Sequence, residues 1–214
     1  MKGLFITFEG TEGSGKSTQI ALLAERLRKA RRTARVLREP GGTPIGEEIR
    51  HTLKHSDANQ AMTPETELLL MNASRAQLVR EVIRPALAAG EIVLCDRYYD
   101  STIAYQGYGR GLDLKMVREV IDLAVGDTRP DLTLVFLLPL ELSEKRRAAR
   151  HAAAPLRDRI EEAGSDFFQR VVKGYAAIVA AEPQRVRQLD ASGTVEAISA
   201  AVWNLAEPLL KGAA

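Results

Sequence analysis

Eight residues near the start of the chain, Gly10-Thr11-Glu12-Gly13-Ser14-Gly15-Lys16-Ser17, fit the spacing G-x-x-x-x-G-K-[ST]. Glycines at those positions let backbone N–H groups converge on phosphate oxygens, and a helix starting there adds the positive end of its dipole. In such a cradle Lys16 reaches the β- and γ-phosphates of a nucleoside triphosphate and Ser17 ligates Mg²⁺. The context fits: Leu4-Phe5-Ile6-Thr7-Phe8 reads as a buried strand before it, and apolar residues at helical spacing follow from Gln19 to Leu27.

Three more charged residues stand at the ends of apolar runs. Arg38 and Arg97 suit bidentate phosphate recognition, and Asp96 suits a carboxylate that holds Mg²⁺ directly or through water. Cations beyond those of the P-loop imply a second phosphate site, hence transfer to a small phosphorylated acceptor rather than simple hydrolysis. The plainer alternatives are a salt bridge from Arg97 to Asp96 or Asp100, a pairing of Arg38 with Glu39, and a turn cap at Asp96. Glu12 is the odd member, a negative side chain inside a phosphate cradle. The stretch 146–159 carries Arg146, Arg147, Arg150, Arg157 and Arg159 around Ala152-Ala153-Ala154-Pro155. It reads as a mobile basic lid that closes over phosphates, or as a solvated face flanked by Glu141, Glu144, Glu161 and Glu162.

These residues need a frame. Apolar runs recur at Leu4–Phe8, Ala34–Leu37, Ile92–Cys95, Leu132–Leu138 and Val186–Leu189, and helical patterns fill about 17–31, 44–55, 64–88, 114–125, 141–151, 159–181 and 195–210. The alternation predicts an α/β fold of three layers, a five-stranded parallel sheet flanked by helices, with right-handed crossovers. Ligands in such folds bind beyond the carboxyl ends of the strands, which is where the charged residues fall. Residues 1–214 read as one domain with the lid at about 146–160.

Composition narrows the rest. Lys plus Arg number 30 against 28 Asp plus Glu, for a net charge of +2, too balanced for non-specific nucleic-acid binding. The lone cysteine, Cys95, sits in the apolar run Ile92-Val93-Leu94-Cys95 and reads as core; one cysteine allows neither an intrachain disulfide nor a cysteine-rich zinc site. No apolar run approaches the roughly 18 residues of a membrane span. The first strand starts too close to Met1 for a signal peptide. The expectation is a soluble cytoplasmic protein.

Taken in order, Phe8-Glu9-Gly10-Thr11-Glu12-Gly13-Ser14-Gly15-Lys16-Ser17-Thr18, Arg38-Glu39-Pro40-Gly41-Gly42-Thr43, Ser74-Arg75-Ala76-Gln77, Asp96-Arg97-Tyr98, Ser101-Thr102-Ile103-Ala104-Tyr105-Gln106-Gly107 and Asp158-Arg159-Ile160-Glu161 resemble the bacterial thymidylate kinases over essentially the whole chain. The P-loop alone is common to many nucleotide-binding proteins; the ordered set is specific. The resemblance implies ATP + dTMP → ADP + dTDP with Mg²⁺, in dTTP biosynthesis, by a homodimer of P-loop NTPase fold. It implies that Gly10 to Thr18 bind ATP, that Ser17 and Asp96 hold the metal, and that Arg97 and Arg38 hold the dTMP phosphate. Arg75 and Gln106 match groups near thymine, with Ser101 and Thr102 close by. Tyr105 matches an aromatic that crowds the 2′ position and so favours deoxyribose. Glu12 matches an acidic residue near the 3′-hydroxyl. Such a residue goes with catalytic lid arginines: Arg150 and Arg157 are the candidates, Arg147 a weaker one.

Two departures stand out. Met71 lies where the family usually stacks an aromatic on thymine, so ring stacking is replaced by a polarisable thioether. The lid is lengthened by Ala152-Ala153-Ala154-Pro155-Leu156. Rival readings are a kinase for UMP or AMP, and a P-loop regulatory module that binds ATP without turnover.

Overall fold

Every residue of β1, Leu4–Gly10, is buried in the computed structural model, which describes residues 3–153, 158–160 and 162–212. β1 is the middle strand of a parallel sheet ordered β2-β3-β1-β4-β5, with β2 at Ala34–Arg38, β3 at Ile92–Asp96, β4 at Leu132–Leu137 and β5 at Val186–Asp190. After β3 the chain crosses to the other half of the sheet. The carboxyl ends of β1, β3 and β4 therefore meet at the switch point where ligands bind in such folds.

The predicted strands match the observed ones within a few residues. Helices follow at α1 (Lys16–Lys29), α2 (Pro44–Lys54), α3 (Pro64–Leu78), α4 (Arg84–Ala88), α5 (Tyr99–Thr102), α6 (Leu114–Val125), α7 (Leu140–Ala153), α8 (Ser165–Ala181) and α9 (Val195–Gly212). α3 continues through a π turn at Val79–Ile83 into α4, which accounts for the single predicted run 64–88. Thr43 and Thr63 cap α2 and α3 through their hydroxyls, each followed by proline at the first helical position.

Two stretches differ from expectation. The run predicted from 159 becomes helical only at Ser165, because Gly164 is extended (φ −67°, ψ 168°) and residues 158–160 form a turn. Conversely, Tyr99–Thr102 runs into a π-helical segment, Ile103–Gly109, a stretch outside the predicted helices. A Cβ on Gly109 would lie 2.6 Å from the Phe167 ring. That glycine, the last residue of the segment, admits α8.

The side-chain alternation of β1 divides the core. Leu4, Ile6 and Phe8 face α1 and α9 with Leu23, Leu27 and Val202, while Phe5 faces the side of α3, α6 and α8 with Val93, Tyr98, Val117 and Val171. Thr7 and Glu9 share the parity of Phe5. They carry a polar column up that face toward the end of the strand.

Candidate active site

Gly10 ends β1 at φ 131°, and a Cβ there would stand 2.4 Å from the Phe136 carbonyl oxygen, so only glycine lets the chain leave β1 beside β4. Gly15 (φ 87°) then turns the chain into α1. Lys16 is buried beneath this loop. Its ammonium donates to the carbonyls of Gly10 (3.2 Å) and Thr11 (2.9 Å), and Ser14 Oγ closes the loop onto Thr11 O at 2.8 Å. Burial first, and then Arg97, push the Lys16 pKa down to about 8. Ser17 Oγ donates to Asp96 Oδ2 at 2.9 Å. A hydroxyl and a carboxylate side by side at the loop's edge are the hard oxygen donors that Mg²⁺ takes from protein when phosphates and water complete its shell.

Beyond the P-loop the dominant group is Arg97. It is one of two non-glycine residues with positive φ among the described residues (70°), and its N–H donates to Phe8 O at 2.9 Å. That left-handed turn costs free energy and sends the side chain across the end of β1. Nη1 donates to Gly10 O (2.9 Å), Ser101 Oγ (3.1 Å) and Tyr175 OH (3.3 Å), and Nη2 to Glu12 Oε1 (2.8 Å) and Tyr105 OH (3.2 Å). Neither predicted alternative holds: Arg97 bridges the P-loop to the next pocket, not to Asp96 or Asp100. Burial opposes the charge of Glu12, but Arg97, Lys16 and Lys54 outweigh it and hold its pKa well below the ordinary carboxylate range.

The adjoining cleft, about 480 Å³ including its open mouth, is lined by Glu12, Arg97, Ser101, Thr102, Tyr105 and Gln106. Met71, Arg75, Glu39, Pro40, Lys54, Asp158 and Ile160 complete its lining. Arg75 is saturated by protein: it donates to Glu39 (2.8 Å), Asn72 (2.8 Å), Thr102 (2.9 Å) and the Tyr98 carbonyl (3.2 Å). Gln106 Nε2 donates to Glu67 at 2.7 Å. Glu67 is fully buried and also receives Arg110 and Arg159. Arg38 does not join this lining. Its guanidinium bonds Glu47 (2.8 Å) and the Pro40 carbonyl (2.9 Å), half exposed at the end of β2.

Of the lid, Arg157 lies outside the described residues, and for Arg147 and Arg150 only the backbone within α7 is described. Two other α7 residues touch the P-loop: Ser143 Oγ donates to Glu12 O (2.7 Å) and Arg146 Nη1 to Gly13 O (3.2 Å). Asp158 pairs with Lys54 at 2.5 Å, and the Arg159 N–H bonds the Lys54 carbonyl at 3.2 Å.

Sequence reading missed Lys54, Glu67, Ser143 and Tyr175. Lys54 and Ser143 carry no motif. Tyr175 lies on the apolar stripe of α8 and looks like core, and Glu67 looks like an ordinary first-turn acid of α3. For Glu67 a signal existed: a carboxylate just before Leu68-Leu69-Leu70, facing inward, needs cationic partners.

A phosphate cradle joined through one arginine to a polar cleft, at the switch point of a 2-3-1-4-5 parallel sheet, defines a P-loop nucleotide kinase. The thymidylate kinase family model matches residues 8–202. A thymidylate kinase from Thermomicrobium roseum is 50% identical over 207 residues, 97% of this chain and 96% of the relative. One from Synechococcus is 48% identical over 207 residues, again 97% and 96% of the two chains. The crystal structure of thymidylate kinase from Ehrlichia chaffeensis matches with a TM-score of 0.77 at 31% identity, covering 97% of this chain and 99% of that one. The chain belongs to the thymidylate kinase family, whose members are nucleoside monophosphate kinases.

Proposed function

We propose that the chain transfers the γ-phosphoryl group of ATP in line to the phosphate of dTMP, giving ADP and dTDP. The observation that carries this reading is the placement of Arg97, bonded to Gly10 O and Glu12 of the P-loop while lining the cleft with Tyr105 and Gln106. One guanidinium is thus in reach of both the transferring group and its acceptor. The backbone N–H groups of Gly10–Thr18 and Lys16 hold the ATP phosphates. The oxygens of Ser17 and Asp96 suit Mg²⁺, which when bound neutralises charge on the β- and γ-phosphates. No general base is needed, because a phosphate monoester is largely ionised at pH 7.

Arg97 binds the acceptor phosphate, and Arg38 joins it when it exchanges Glu47 for phosphate. Gln106, Arg75, Thr102 and Met71 face the base. The ring of Tyr105 packs edge-on to Phe167 and Tyr175, held at centroid distances of 5.9 and 6.4 Å, and rejects a 2′-hydroxyl. Residues 146–160 form the lid of a single domain, with Arg150 or Arg157 supplying the catalytic cation. No helix among the described residues is long and apolar enough to cross a membrane. The free, buried Cys95 suits a reducing compartment, which supports a cytoplasmic enzyme. Leu69 and Leu123, exposed on the packed pair α3 and α6, support a homodimer through that face.

The test is ADP release with dTMP, dUMP, UMP, CMP, AMP and GMP as acceptors. The expected result is the highest kcat/KM for dTMP. A higher value for UMP would overturn the reading, and nucleotide hydrolysis indifferent to every monophosphate would point to a switch module instead.

A further inference from the structure

Glu9 ends the polar column of β1 and is fully buried behind Arg97. Its two oxygens do different jobs. Oε1 accepts the Tyr98 N–H at 2.7 Å, while Oε2 accepts both the Ser101 hydroxyl and the Tyr175 hydroxyl, the latter at 2.9 Å. Those two hydroxyls stand 3.0 Å apart and are also acceptors for Arg97 Nη1. A hydroxyl has one hydrogen to give. With Glu9 ionised, both hydrogens point to Oε2, and both oxygens turn their lone pairs to the guanidinium.

We propose that Glu9 is the positioning residue for Arg97, orienting the Ser101 and Tyr175 hydroxyls so that Arg97 is held to receive the acceptor phosphate. The inference rests on the assignment of Arg97 to that phosphate. Glu9 never touches substrate; it acts through two hydroxyls from different elements, Ser101 on α5 and Tyr175 on α8.

The alternatives in protonation are well defined. Burial first, then Asp100, push the Glu9 pKa up to about 7, against Arg97, Ser101 and the Tyr98 N–H. The other charged or titratable groups around it are Asp100 of α5, itself paired with Arg185 at 2.8 Å, and Tyr175 of α8, with Lys16, Glu12, Asp96 and Tyr105 grouped about Arg97. A proton on Oε2 would donate to one of the hydroxyls and reverse its direction. Glu9→Gln does the same at every pH: the Tyr98 N–H keeps the amide oxygen at the Oε1 position, so the NH₂ falls at Oε2. The hydroxyls then accept from the amide, which competes with Arg97 for their lone pairs.

The experiment compares wild type with Glu9→Gln, Tyr175→Phe and Arg97→Ala by steady-state kinetics, at pH 6 and pH 8. Glu9→Gln should raise KM for dTMP by about tenfold at pH 8, the scale of a lost charge-assisted hydrogen bond, with KM for ATP within about twofold. The gap from wild type should shrink at pH 6, where wild-type Glu9 is itself protonated, while titration of the dTMP phosphate is common to both proteins. Tyr175→Phe should move KM for dTMP the same way by about threefold, and serves as the deciding variant if Glu9→Gln does not fold. An unchanged KM for dTMP in Glu9→Gln, or in Tyr175→Phe where that variant decides, alongside a large rise in Arg97→Ala, would overturn the inference alone. An unchanged KM in Arg97→Ala as well would overturn it together with the role given to Arg97. An equal loss for both substrates at both pH values would mark Glu9 as merely structural.

Discussion

The phosphate cradle takes its groups from one unbroken run, Gly10–Thr18, and is closed by bonds within that run, from Lys16 to Gly10 and Thr11 and from Ser14 to Thr11. The cleft beside it shares Glu12 with that run and is otherwise gathered from the loop after β2, the end of α2, α3, Arg97 after β3, α5 with its π-helical extension, and residues 158–160. Its polar groups are tied across long sequence separations: Arg75 to Glu39, Gln106 and Arg159 to Glu67, Lys54 to Asp158. A local site forms once a strand and a helix are in place. A gathered site depends on the packing of the whole domain, and in exchange its shape can be fitted to one acceptor.

The sharpest break between the two halves comes from Lys16→Ala. Phosphoryl transfer should fall by about 10³-fold or more, while dTMP affinity, measured by calorimetry, stays within about threefold; loss of dTMP binding would mean the halves are not separable. Arg97→Ala should weaken dTMP binding by about 10²-fold, the scale for a buried charged contact to a phosphate. Near-normal affinity would remove Arg97 from the acceptor site.

Tyr105→Ala tests how far the gathered half is shaped to its acceptor. The preference for deoxyribo- over ribonucleoside monophosphates should fall by about tenfold in kcat/KM; an unchanged ratio would locate 2′ discrimination elsewhere. Lys16 sharpens the other half through pH. Its depressed pKa of about 8 means the free enzyme loses the ammonium as pH rises through 8, whereas bound phosphates favour the protonated form. Affinity for a non-hydrolysable ATP analogue should therefore fall, by up to about tenfold, between pH 7 and 9; a flat profile would contradict a buried, titrating Lys16. Arg38→Ala should cost least, about threefold in dTMP affinity, because its half-exposed side chain must first leave Glu47.

The same contrast explains what was legible in the sequence. Lys16, Ser17 and their flanking elements could be read directly, since spacing along the chain is spacing in the site. Arg97 was legible as a strand-end cation, but not its left-handed backbone or its bond to Glu12, which follow from contacts 85 residues apart. Tyr175 was illegible because its local pattern is that of core, and Glu67 left only the weak signal of a carboxylate beside an apolar run. Their importance arises from α3, α8 and the π-helical segment meeting in space. The helix at Tyr99–Gly109 lay outside the predicted helices, and its Gly109 is needed because a side chain there would meet the Phe167 ring, a contact made only in the folded chain.

The most direct test crosses the two halves: titrate Lys16→Ala and Arg97→Ala each with dTMP and with a non-hydrolysable ATP analogue, by calorimetry at pH 7. The prediction is a crossed pattern, with Lys16→Ala losing the ATP analogue and keeping dTMP, and Arg97→Ala losing dTMP and keeping the ATP analogue within a few-fold. If both variants lose both ligands in the same proportion, the two sites are one cooperative unit and the division drawn between them is wrong.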